Sequence, residues 1–372
     1  MDSSLEQFVA NIHASATRVV VAVSGGGSRA IAELLEVPGA SRTMLEAVVP
    51  YSEKALIAWL GGRPDQACSP QTARAMAMSA FRRAVALDEP EAAPAGVACT
   101  AGLATDHPKR GDHRVHVAVQ TAARTVTWSL DLLKDRRSRR EEERLACQLL
   151  LNAVAEACNV ESRLALDLHD GERVEHSETV APLPWRALLL GKVECVSEGG
   201  AANAAVFPGA FNPLHAGHRR MIEIAREILR VPVAVEISIV NVEKPPLDYF
   251  EIERRVRQFP PEQTIWLSRA ATFEEKSRLF PGATFVVGVD TLRRIAAPGF
   301  YGNDTAACQA AIGRIAGRGC RFLVFGRRMG TGFVRLSDLD LPDALRIICR
   351  EVPADAFRED VSSTELRKAG AW

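Results

Sequence analysis

The sequence predicts an α/β protein built from two domains. Its 372 residues exceed one domain of ordinary size, and 47% of them are hydrophobic against 25% charged, so each half can bury its own core. In each half a short apolar run, at 18–24 and again at 204–207, leads through a glycine-containing turn into a helical pattern. The second half then alternates strands with helices, which predicts a parallel sheet with right-handed crossovers.

The first half begins with such a strand, the turn Gly25-Gly26-Gly27 and a helix. Further on, Ser69 and Pro70 open an alanine-rich helix, since serine is a preferred N-cap and proline fits the first turn. Acidic residues from Glu141 onward complement the dipole at the start of another helix. We expect strands at 18–24, 95–100 and 114–120 and helices at 29–35, 71–87 and 141–158, with a mixed stretch at 164–190.

The second half follows a small polar stretch, 197–203, where we place the domain boundary. The two domains are therefore expected at 1–196 and 204–372. The run 233–240 is almost continuously apolar, as a parallel strand covered on both faces requires. We expect strands at 204–207, 233–240, 284–289, 322–325 and 344–349 and helices at 219–229, 252–258, 272–279 and 291–295.

Composition and charge narrow the class of partner. The formal net charge is zero, so no large basic field attracts nucleic acid or an anionic membrane, and a small-molecule partner is expected. The eight cysteines are scattered without a Cys-x-x-Cys pair, which argues against a zinc ribbon or a disulfide framework. The first residues predict no signal peptide, and no apolar run is long enough to span a bilayer. We therefore expect a cytoplasmic protein that contacts no membrane.

A strand-to-helix junction in the second half carries the strongest chemical signal. An apolar strand runs into the loop 208–218, with the sequence PGAFNPLHAGH, and then directly into a helix. Gly209 allows the backbone to approach a ligand closely. Gly217 and His218 stand at the helix start, where free amides and the helix dipole favour an anion. His215 and His218 can therefore donate hydrogen bonds to one phosphate as negative charge builds on it.

These two histidines are the only ones between Ala204 and Trp372. The alternative is a pair of surface histidines that happen to lie near a helix start. The succession of strand, glycine, proline, two histidines and helix favours a phosphate site instead. We expect the loop to bind a nucleoside triphosphate through Gly209, Ala210, Phe211, Asn212, His215, Gly217 and His218.

The loop resembles the GxFxPxHxGH signature of the nucleotidyltransferase superfamily, which includes the mononucleotide adenylyltransferases, pantetheine-phosphate adenylyltransferase and the cytidylyltransferases. A second signature of that superfamily, SSTxxR, is matched by the segment SSTELR from Ser362 to Arg367. The resemblance implies a Rossmann-like parallel sheet. It also implies that Ser362, Ser363 and Thr364 meet the triphosphate and that Arg367 neutralises it. Taken alone, SSTELR is also compatible with a capping box before a surface helix.

Further matches favour the mononucleotide adenylyltransferase branch. The segment 285–292 resembles that branch's strand ending in Gly-x-Asp, which implies that Gly288 and Asp290 face the two nucleotides. For Asp290 the alternative is a simple helix cap. Arg327 resembles the arginine at the end of the branch's late strand. Phe300, after Pro298, is a candidate for stacking on a pyridine ring.

Two residues after the second strand also match that branch. Asn241 and Lys244 resemble its segment near the substrate phosphates. Lys244 stands before two prolines, so a solvated loop charge is the alternative.

The resemblance implies transfer of a nucleotidyl group from ATP to nicotinamide or nicotinate mononucleotide, with release of pyrophosphate. Catalysis would consist of positioning and charge neutralisation by His215, His218 and Arg367. Mg²⁺ would be held by the phosphates and water rather than by protein ligands, so no protein metal site is expected. The shared motifs contact phosphate and not the base, which leaves CTP and a cytidylyltransferase open. A nucleotide sensor without catalysis is a further alternative.

The first half, from about residue 15 to 158, resembles the CinA C-terminal domain, a nicotinamide-nucleotide amidase fold. The matching pieces include Ser24 with its three glycines, Tyr51-Ser52 and Thr100. The resemblance implies that Ser24 is the nucleophile, assisted by Tyr51, with Thr100 near the site. The family's lysine is replaced by Leu56.

This replacement predicts a degenerate amidase site, because a serine hydroxyl needs a neighbouring base or cation to become a good nucleophile. Lys54 is two positions away from Leu56, which on a helix is about 200° of rotation, so Lys54 would face away. An active amidase remains the alternative function. A lapsed domain would still be suited to dimerisation or nucleotide sensing, and a homo-oligomer is compatible with the sequence.

Overall fold

The computed structural model describes residues 3–89, 93–106, 110–201, 203–240, 247–329, 332–353 and 355–357. The chain divides into two compact units: Met1–Leu189 with Glu243–Glu251, and Leu190–Val242 with Ile252–Trp372. Both units combine helices with a β-sheet, so the predicted α/β class is confirmed. Within the described ranges no helix is long and apolar enough to cross a membrane.

The first unit contains six strands and six helices up to Leu189 in its described part. Its sheet has the order β2-β1-β3-β4-β5-β6, parallel across β2, β1 and β3 and antiparallel from β3 to β6. The elements are α1 Ser3–His13, β1 Thr17–Ser24, α2 Arg29–Glu36, β2 Met44–Val48, α3 Glu53–Leu60, α4 Pro70–Leu87, β3 Ala93–Gly102, β4 His113–Thr121, β5 Arg124–Leu132, α5 Arg139–Ala157, β6 Val174–Val180 and α6 Leu183–Leu189.

Strand β1 shows why this sheet has two apolar faces. Val19, Val21 and Val23 point into one core, which includes residues of α1, α2 and α5. Val20 and Ala22 point into a second core, which includes residues of α3 and α4. Successive side chains of a strand alternate between faces, so a strand covered on both sides must be apolar at every position.

Among its described residues, the second unit contains a seven-stranded sheet and a separate two-stranded ribbon. Its main sheet has the order β15-β12-β11-β8-β9-β10-β7, and all of these neighbours are parallel except β10 and β7. The elements are β7 Cys195–Glu198, β8 Ala205–Pro208, α7 Ala216–Leu229, β9 Val233–Ser238, α8 Tyr249–Val256, β10 Ile265–Ser268, α9 Phe273–Leu279, β11 Thr284–Gly288, α10 Val289–Ala296, α11 Thr305–Gly317, β12 Arg321–Phe325, β13 Arg327–Met329, β14 Gly332–Val334, α12 Asp343–Ile347 and β15 Cys349–Glu351.

The prediction of a strand at 344–349 was wrong. Residues Asp343–Ile347 form the helix α12, and the strand β15 begins only at Cys349. Leu345 is fully buried in the core beside Ile312 and Ile315, whereas Ile347 is 82% exposed. Residues two positions apart lie on nearly opposite faces of a helix, so a buried Leu345 and an exposed Ile347 fit a helical turn. In the sequence alone, so short an apolar run looks the same as a buried strand.

The helix α8 belongs to both units. Its first turn, to Glu251, lies in the first unit, and Ile252 onward lies in the second. In the first unit Tyr249 is fully buried, and its hydroxyl donates a hydrogen bond of 2.7 Å to the carbonyl of Ala122. Arg74 donates to the buried carboxylate of Asp248 at 3.0 Å. The start of α8 is therefore fixed by polar bonds in an apolar setting.

Candidate active site

The sheet topology of the second unit places the histidine loop at a switch point. Strand β8 leads through α7 to β9 on one side, while β11 pairs with β8 on the other side. The crevice outside the carboxyl ends of two such strands is where open α/β sheets bind ligands. The loop after β8 carries both histidines, and β11 ends at Gly288 before Asp290. Topology thus brings together two segments that the sequence predicted to face the nucleotides.

His215 and His218 form a stacked pair at the start of α7. His215 is the N-cap residue and His218 the third residue of the helix. Their ring centroids are 3.7 Å apart with an angle of 24° between the planes. The backbone N–H of His215 donates to Nδ1 of His218 at 3.4 Å. The predicted approach of the two imidazoles is therefore present, at a helix N-terminus that favours anions.

His218 is held in its neutral form. Burial, with smaller contributions from His215 and Arg327, lowers its pKa to about 3. Because Nδ1 accepts the amide hydrogen of His215, the ring proton resides on Nε2. A neutral imidazole that donates from Nε2 is suited to hydrogen-bond a phosphate oxygen without transferring its proton.

The ring of Phe211 packs edge-on against the ring of His218. Phe211 is 1% exposed, and its ring centroid lies 5.1 Å from that of His218 and 5.3 Å from those of Phe207 and Phe259. Its backbone has a positive φ of 44°. A Cβ on Gly209 would come within 2.6 Å of the Phe211 ring. The space that Gly209 provides is therefore used by Phe211, whereas the sequence suggested that it serves a ligand.

Arg327 and Asp290 form an ion pair next to the histidines. Nη1 of Arg327 donates to Oδ2 of Asp290 at 2.8 Å, and each side chain is about two-fifths exposed. The positive charge of Arg327 contributes to the lowered pKa of His218, after burial and His215. The N-cap of α10 is Gly288, and Asp290 lies one residue inside the helix. The carboxylate therefore binds a cation at the site instead of capping the helix.

Six of the predicted site residues lie outside the described residues: Asn241, Lys244, Ser362, Ser363, Thr364 and Arg367. Ala210 and Asn212 lie in the histidine loop, where residues of α8 bind them, and Gly217 is buried in the first turn of α7. Phe300 is 39% exposed, while the neighbouring Tyr301 packs toward the core.

Three residues that the sequence did not single out hold the loop. Arg254, Arg255 and Gln258 reach it from α8 and the turn that follows. Their signal in the sequence is weak, because a run of charged residues on a helix usually indicates a solvated face. The only hint is that Arg255 falls among apolar positions of the helix, and it is 7% exposed.

Metal-binding side chains do not cluster in the part of the chain described here. Within it, no group of three or more histidine, cysteine, aspartate or glutamate residues is arranged to hold an ion. At the histidine loop, Asp290 is the carboxylate identified, and Arg327 binds it.

At the corresponding site of the first unit, the serine hydroxyl is bound to a backbone carbonyl. Ser24 is 9% exposed, and its hydroxyl donates to the carbonyl of Pro50 at 3.1 Å. The hydroxyl of Thr100 donates to the carbonyl of Ala67 at 2.8 Å. Tyr51 is 68% exposed. A backbone carbonyl accepts a hydrogen bond from a serine but is too weak a base to activate it.

The structure of α3 confirms the expected orientation of Lys54. Residues Glu53–Leu60 form α3, capped by the side chain of Ser52, so the segment is helical as assumed. Leu56 is 3% exposed within the core, and Lys54 lies on the exposed face. A cation at Lys54 therefore points away from the position that the family's lysine would occupy.

A carboxylate from α5 accepts hydrogen bonds from the glycine turn after Ser24 and from the start of α2. Glu143 accepts hydrogen bonds from the backbone N–H of Gly27 at 3.0 Å and from the hydroxyl of Ser28 at 3.2 Å. It also accepts from the N–H of Arg29 at 3.4 Å. The amides that could bind a phosphate at the start of α2 are thus already occupied.

These features define the second unit as an α/β domain of nucleotidyltransferase type, and the comparisons with known proteins agree. Residues 206–369 match the cytidylyltransferase-like family, and residues 2–155 match the CinA C-terminal domain. The chain therefore joins a CinA C-terminal domain to a cytidylyltransferase-like domain. Both resemblances drawn from the sequence are confirmed.

Solved structures match about two-fifths of the chain. The competence/damage inducible protein CihA from Agrobacterium tumefaciens is 20% identical and covers 42% of this chain and 97% of its own, with a TM-score of 0.34. A competence-damaged protein (CinA) superfamily protein from Escherichia coli is 17% identical and covers 42% of this chain and 92% of its own, with a TM-score of 0.35. No curated protein matches the chain.

Proposed function

We propose that the second domain transfers a nucleotidyl group from ATP to a phosphorylated acceptor, namely nicotinamide or nicotinate mononucleotide. The observation that carries this proposal is the stacked pair His215 and His218, with the Arg327–Asp290 pair beside it, at the switch point of a parallel sheet. The site combines a neutral hydrogen-bond donor at His218, a cation at Arg327 and a helix N-terminus, which are the groups that stabilise a phosphoryl transition state.

The reaction requires no covalent enzyme intermediate. An oxygen of the acceptor phosphate attacks the α-phosphorus of ATP in line, and the bond from that phosphorus to the bridging oxygen breaks. Pyrophosphate leaves with the bonding electrons, and a dinucleotide forms. His218 donates from Nε2 to an oxygen of the α-phosphate, and His215 acts from the adjacent ring. Mg²⁺ carried by the triphosphate would supply further charge neutralisation.

Further residues named in the sequence analysis complete this proposal, four of them in the C-terminal segment outside the described residues. Arg367, with Ser362, Ser363 and Thr364, is proposed to hold the β- and γ-phosphates through the SSTELR motif. Asn241 and Lys244 are proposed to lie near the acceptor phosphate. Phe300 is the proposed stacking surface for the pyridine ring, since it is the more exposed of the two adjacent aromatic residues.

A second candidate concerns the nucleotide. The second domain matches a family described as cytidylyltransferase-like, and the motifs of the histidine loop are expected to bind the phosphates rather than the base. CTP is therefore the alternative donor, with the same chemistry at the α-phosphorus.

For the first domain we propose that amidase activity has lapsed. Ser24 faces a carbonyl, Leu56 replaces the lysine, and Glu143 accepts from the amide of Gly27 in the glycine turn. None of these groups generates a serine nucleophile.

One experiment tests the proposals together. The purified full chain is incubated with ATP or CTP and with nicotinamide mononucleotide, its acid or phosphopantetheine, while pyrophosphate and ammonia are measured. We expect pyrophosphate with ATP and a pyridine mononucleotide, and no ammonia. Replacing His218 by Ala should lower the turnover number about 100-fold or more, as the loss of a transition-state donor does.

Matched controls make the result decisive. The variant Ser24→Ala should keep full pyrophosphate release, because Ser24 lies in the other unit. Unchanged turnover in His218→Ala, or no pyrophosphate with any pair, would refute the transferase proposal. Ammonia release that disappears in Ser24→Ala would instead establish an active amidase.

A further inference from the structure

The loop that carries the histidines depends on side chains from another part of the unit. Between Gly209 and His215 the loop spans five residues, and contacts reach four of them from α8 and the turn after it. Arg255 donates to the carbonyl of Ala210 at 3.1 Å, and Arg254 donates to Oδ1 of Asn212 at 2.5 Å. The loop has neither helix nor strand structure of its own here. Its shape is therefore fixed by these polar contacts.

Gln258 makes two hydrogen bonds to the backbone of the histidine loop. Its amide Nε2 donates to the carbonyl of Phe211 at 3.0 Å, and its Oε1 accepts from the N–H of Leu214 at 2.7 Å. One side chain thus bridges both sides of the peptide Asn212–Pro213. The residue after Leu214 is His215, and the residue before Asn212 is Phe211, whose ring supports His218.

We propose that Gln258, assisted by Arg254 and Arg255, is a positioning residue that holds His215 and His218 in their stacked arrangement for nucleotidyl transfer. This inference rests on the proposed function of the site. Gln258 is assigned no contact with substrate and acts through Phe211 and Leu214. A displacement of the reacting groups by about 1 Å can cost 100-fold in rate, so loosening the loop should affect the chemical step more than nucleotide affinity.

The test compares Gln258→Met with Arg257→Met. Methionine preserves the length of Gln258 but removes both hydrogen-bonding groups. Arg257 is its neighbour in the chain and lies on the exposed side, where it pairs with Glu253 at 2.6 Å. We expect kcat to fall at least tenfold in Gln258→Met while KM for the nucleotide changes less than threefold. The Arg257→Met variant should stay within twofold of the wild type in both constants.

A pH profile separates positioning from mere support of the fold. In Gln258→Glu the carboxylate can still accept from Leu214, but it faces the carbonyl of Phe211 without a proton to donate. Protonation restores that donor, so the kcat of Gln258→Glu relative to the wild type should rise as the pH falls. A purely structural role would not produce this dependence. A pH-independent ratio would contradict the proposal.

A spectroscopic readout keeps this inference separate from the transferase proposal. The ring proton signals of His215 and His218, assigned by NMR from the His215→Gln and His218→Gln variants, report their stacking whether or not the chain is active. We expect both signals to shift in Gln258→Met and to stay unchanged in Arg257→Met. Unshifted signals in a folded Gln258→Met protein with wild-type kcat would overturn the assignment. Shifted signals in a chain without transferase activity would refute only the proposed function.

Discussion

At the scale of single residues, the neutral state of His218 has a measurable consequence for stability. The folded protein holds the pKa of His218 at about 3, through burial first and then through His215 and Arg327. In an unfolded chain the pKa of a histidine is about 6.5. Between these values the unfolded state binds the proton and the folded state does not. Stability therefore rises with pH through this window, and is lost as the pH falls from about 6.5 toward 3.

We predict that His218→Gln removes this part of the pH dependence. The difference in unfolding free energy between variant and wild type should change with a slope of at most about 1.4 kcal/mol per pH unit below pH 6. Urea unfolding of both proteins from pH 4.5 to 8 measures it. Above pH 7.5 the two curves should run parallel, because the ring is then neutral in both states. Curves that stay parallel down to pH 4.5 would contradict the assigned protonation state.

The residue scale also shows what the sequence could predict. The pair His215 and His218 was predicted as a phosphate site because spacing on a helix start is a local property. The ion pair between Asp290 and Arg327 joins a residue of α10 to a residue of β13, and only the folded unit brings them together. Gln258 escaped prediction for the same reason, since its partners Phe211 and Leu214 are more than forty positions away in the chain.

At the scale of elements, prediction succeeded where the pattern was long or capped. The helix α4 was expected from Ser69 and Pro70, and the side chain of Ser69 indeed accepts from the N–H of Thr72. The strands β5 and β6 were missed. β5 mixes buried with half-buried residues, and β6 is mostly exposed, since it lies at the edge of the sheet. An edge strand has no continuous apolar run to reveal it.

A buried ion pair joins three neighbouring elements of the second unit. Glu236 on β9 is fully buried, and Nζ of Lys276 on α9 lies 2.8 Å from its carboxylate. Ser268 at the end of β10 donates to the same carboxylate at 2.5 Å. Glu236 interrupts an otherwise apolar strand, so a charge there must be paired inside the fold.

We predict that Lys276→Met destabilises the second unit by about 3–5 kcal/mol, because the substitution leaves the buried carboxylate of Glu236 without its cation. Urea unfolding measures the loss. The matched variant Lys192→Met, at an exposed lysine, should change stability by less than about 0.5 kcal/mol. The double variant Glu236→Gln with Lys276→Met should be more stable than Lys276→Met alone. Equal stability of Lys276→Met and the wild type would contradict this account.

At the scale of the whole molecule, the path of the chain links two folds that the sequence presented as separate. The described residues 247–251 follow β9 in the sequence, yet they belong to the first unit, and α8 continues from there into the second. No local sequence pattern predicts that the chain returns to the first unit here, because a buried Tyr249 is compatible with an amphipathic helix in either unit. The later part of the same helix carries Arg254 and Arg255, which bind the histidine loop.

We predict that Tyr249→Phe weakens the start of α8. The variant keeps the ring that stacks on Trp185 at 6.4 Å but removes the donor to the half-buried carbonyl of Ala122. The loss should be about 1 kcal/mol in urea unfolding, and up to about 3 kcal/mol if that carbonyl finds no other partner. The same substitution at Tyr51, which is 68% exposed, should leave the unfolding free energy within about 0.5 kcal/mol of the wild type.

Hydrogen exchange then shows whether α8 behaves as one element. A helix opens cooperatively, so loosening its first turn lowers the protection of the turns that follow. In Tyr249→Phe the amides of 253–257 should exchange faster, together with the N–H of Leu214, whose acceptor is Gln258. In Tyr51→Phe these amides should exchange at the wild-type rate. Faster exchange confined to residues before Ile252 would show that the two parts of α8 respond independently, and the effect would then end where the second unit begins.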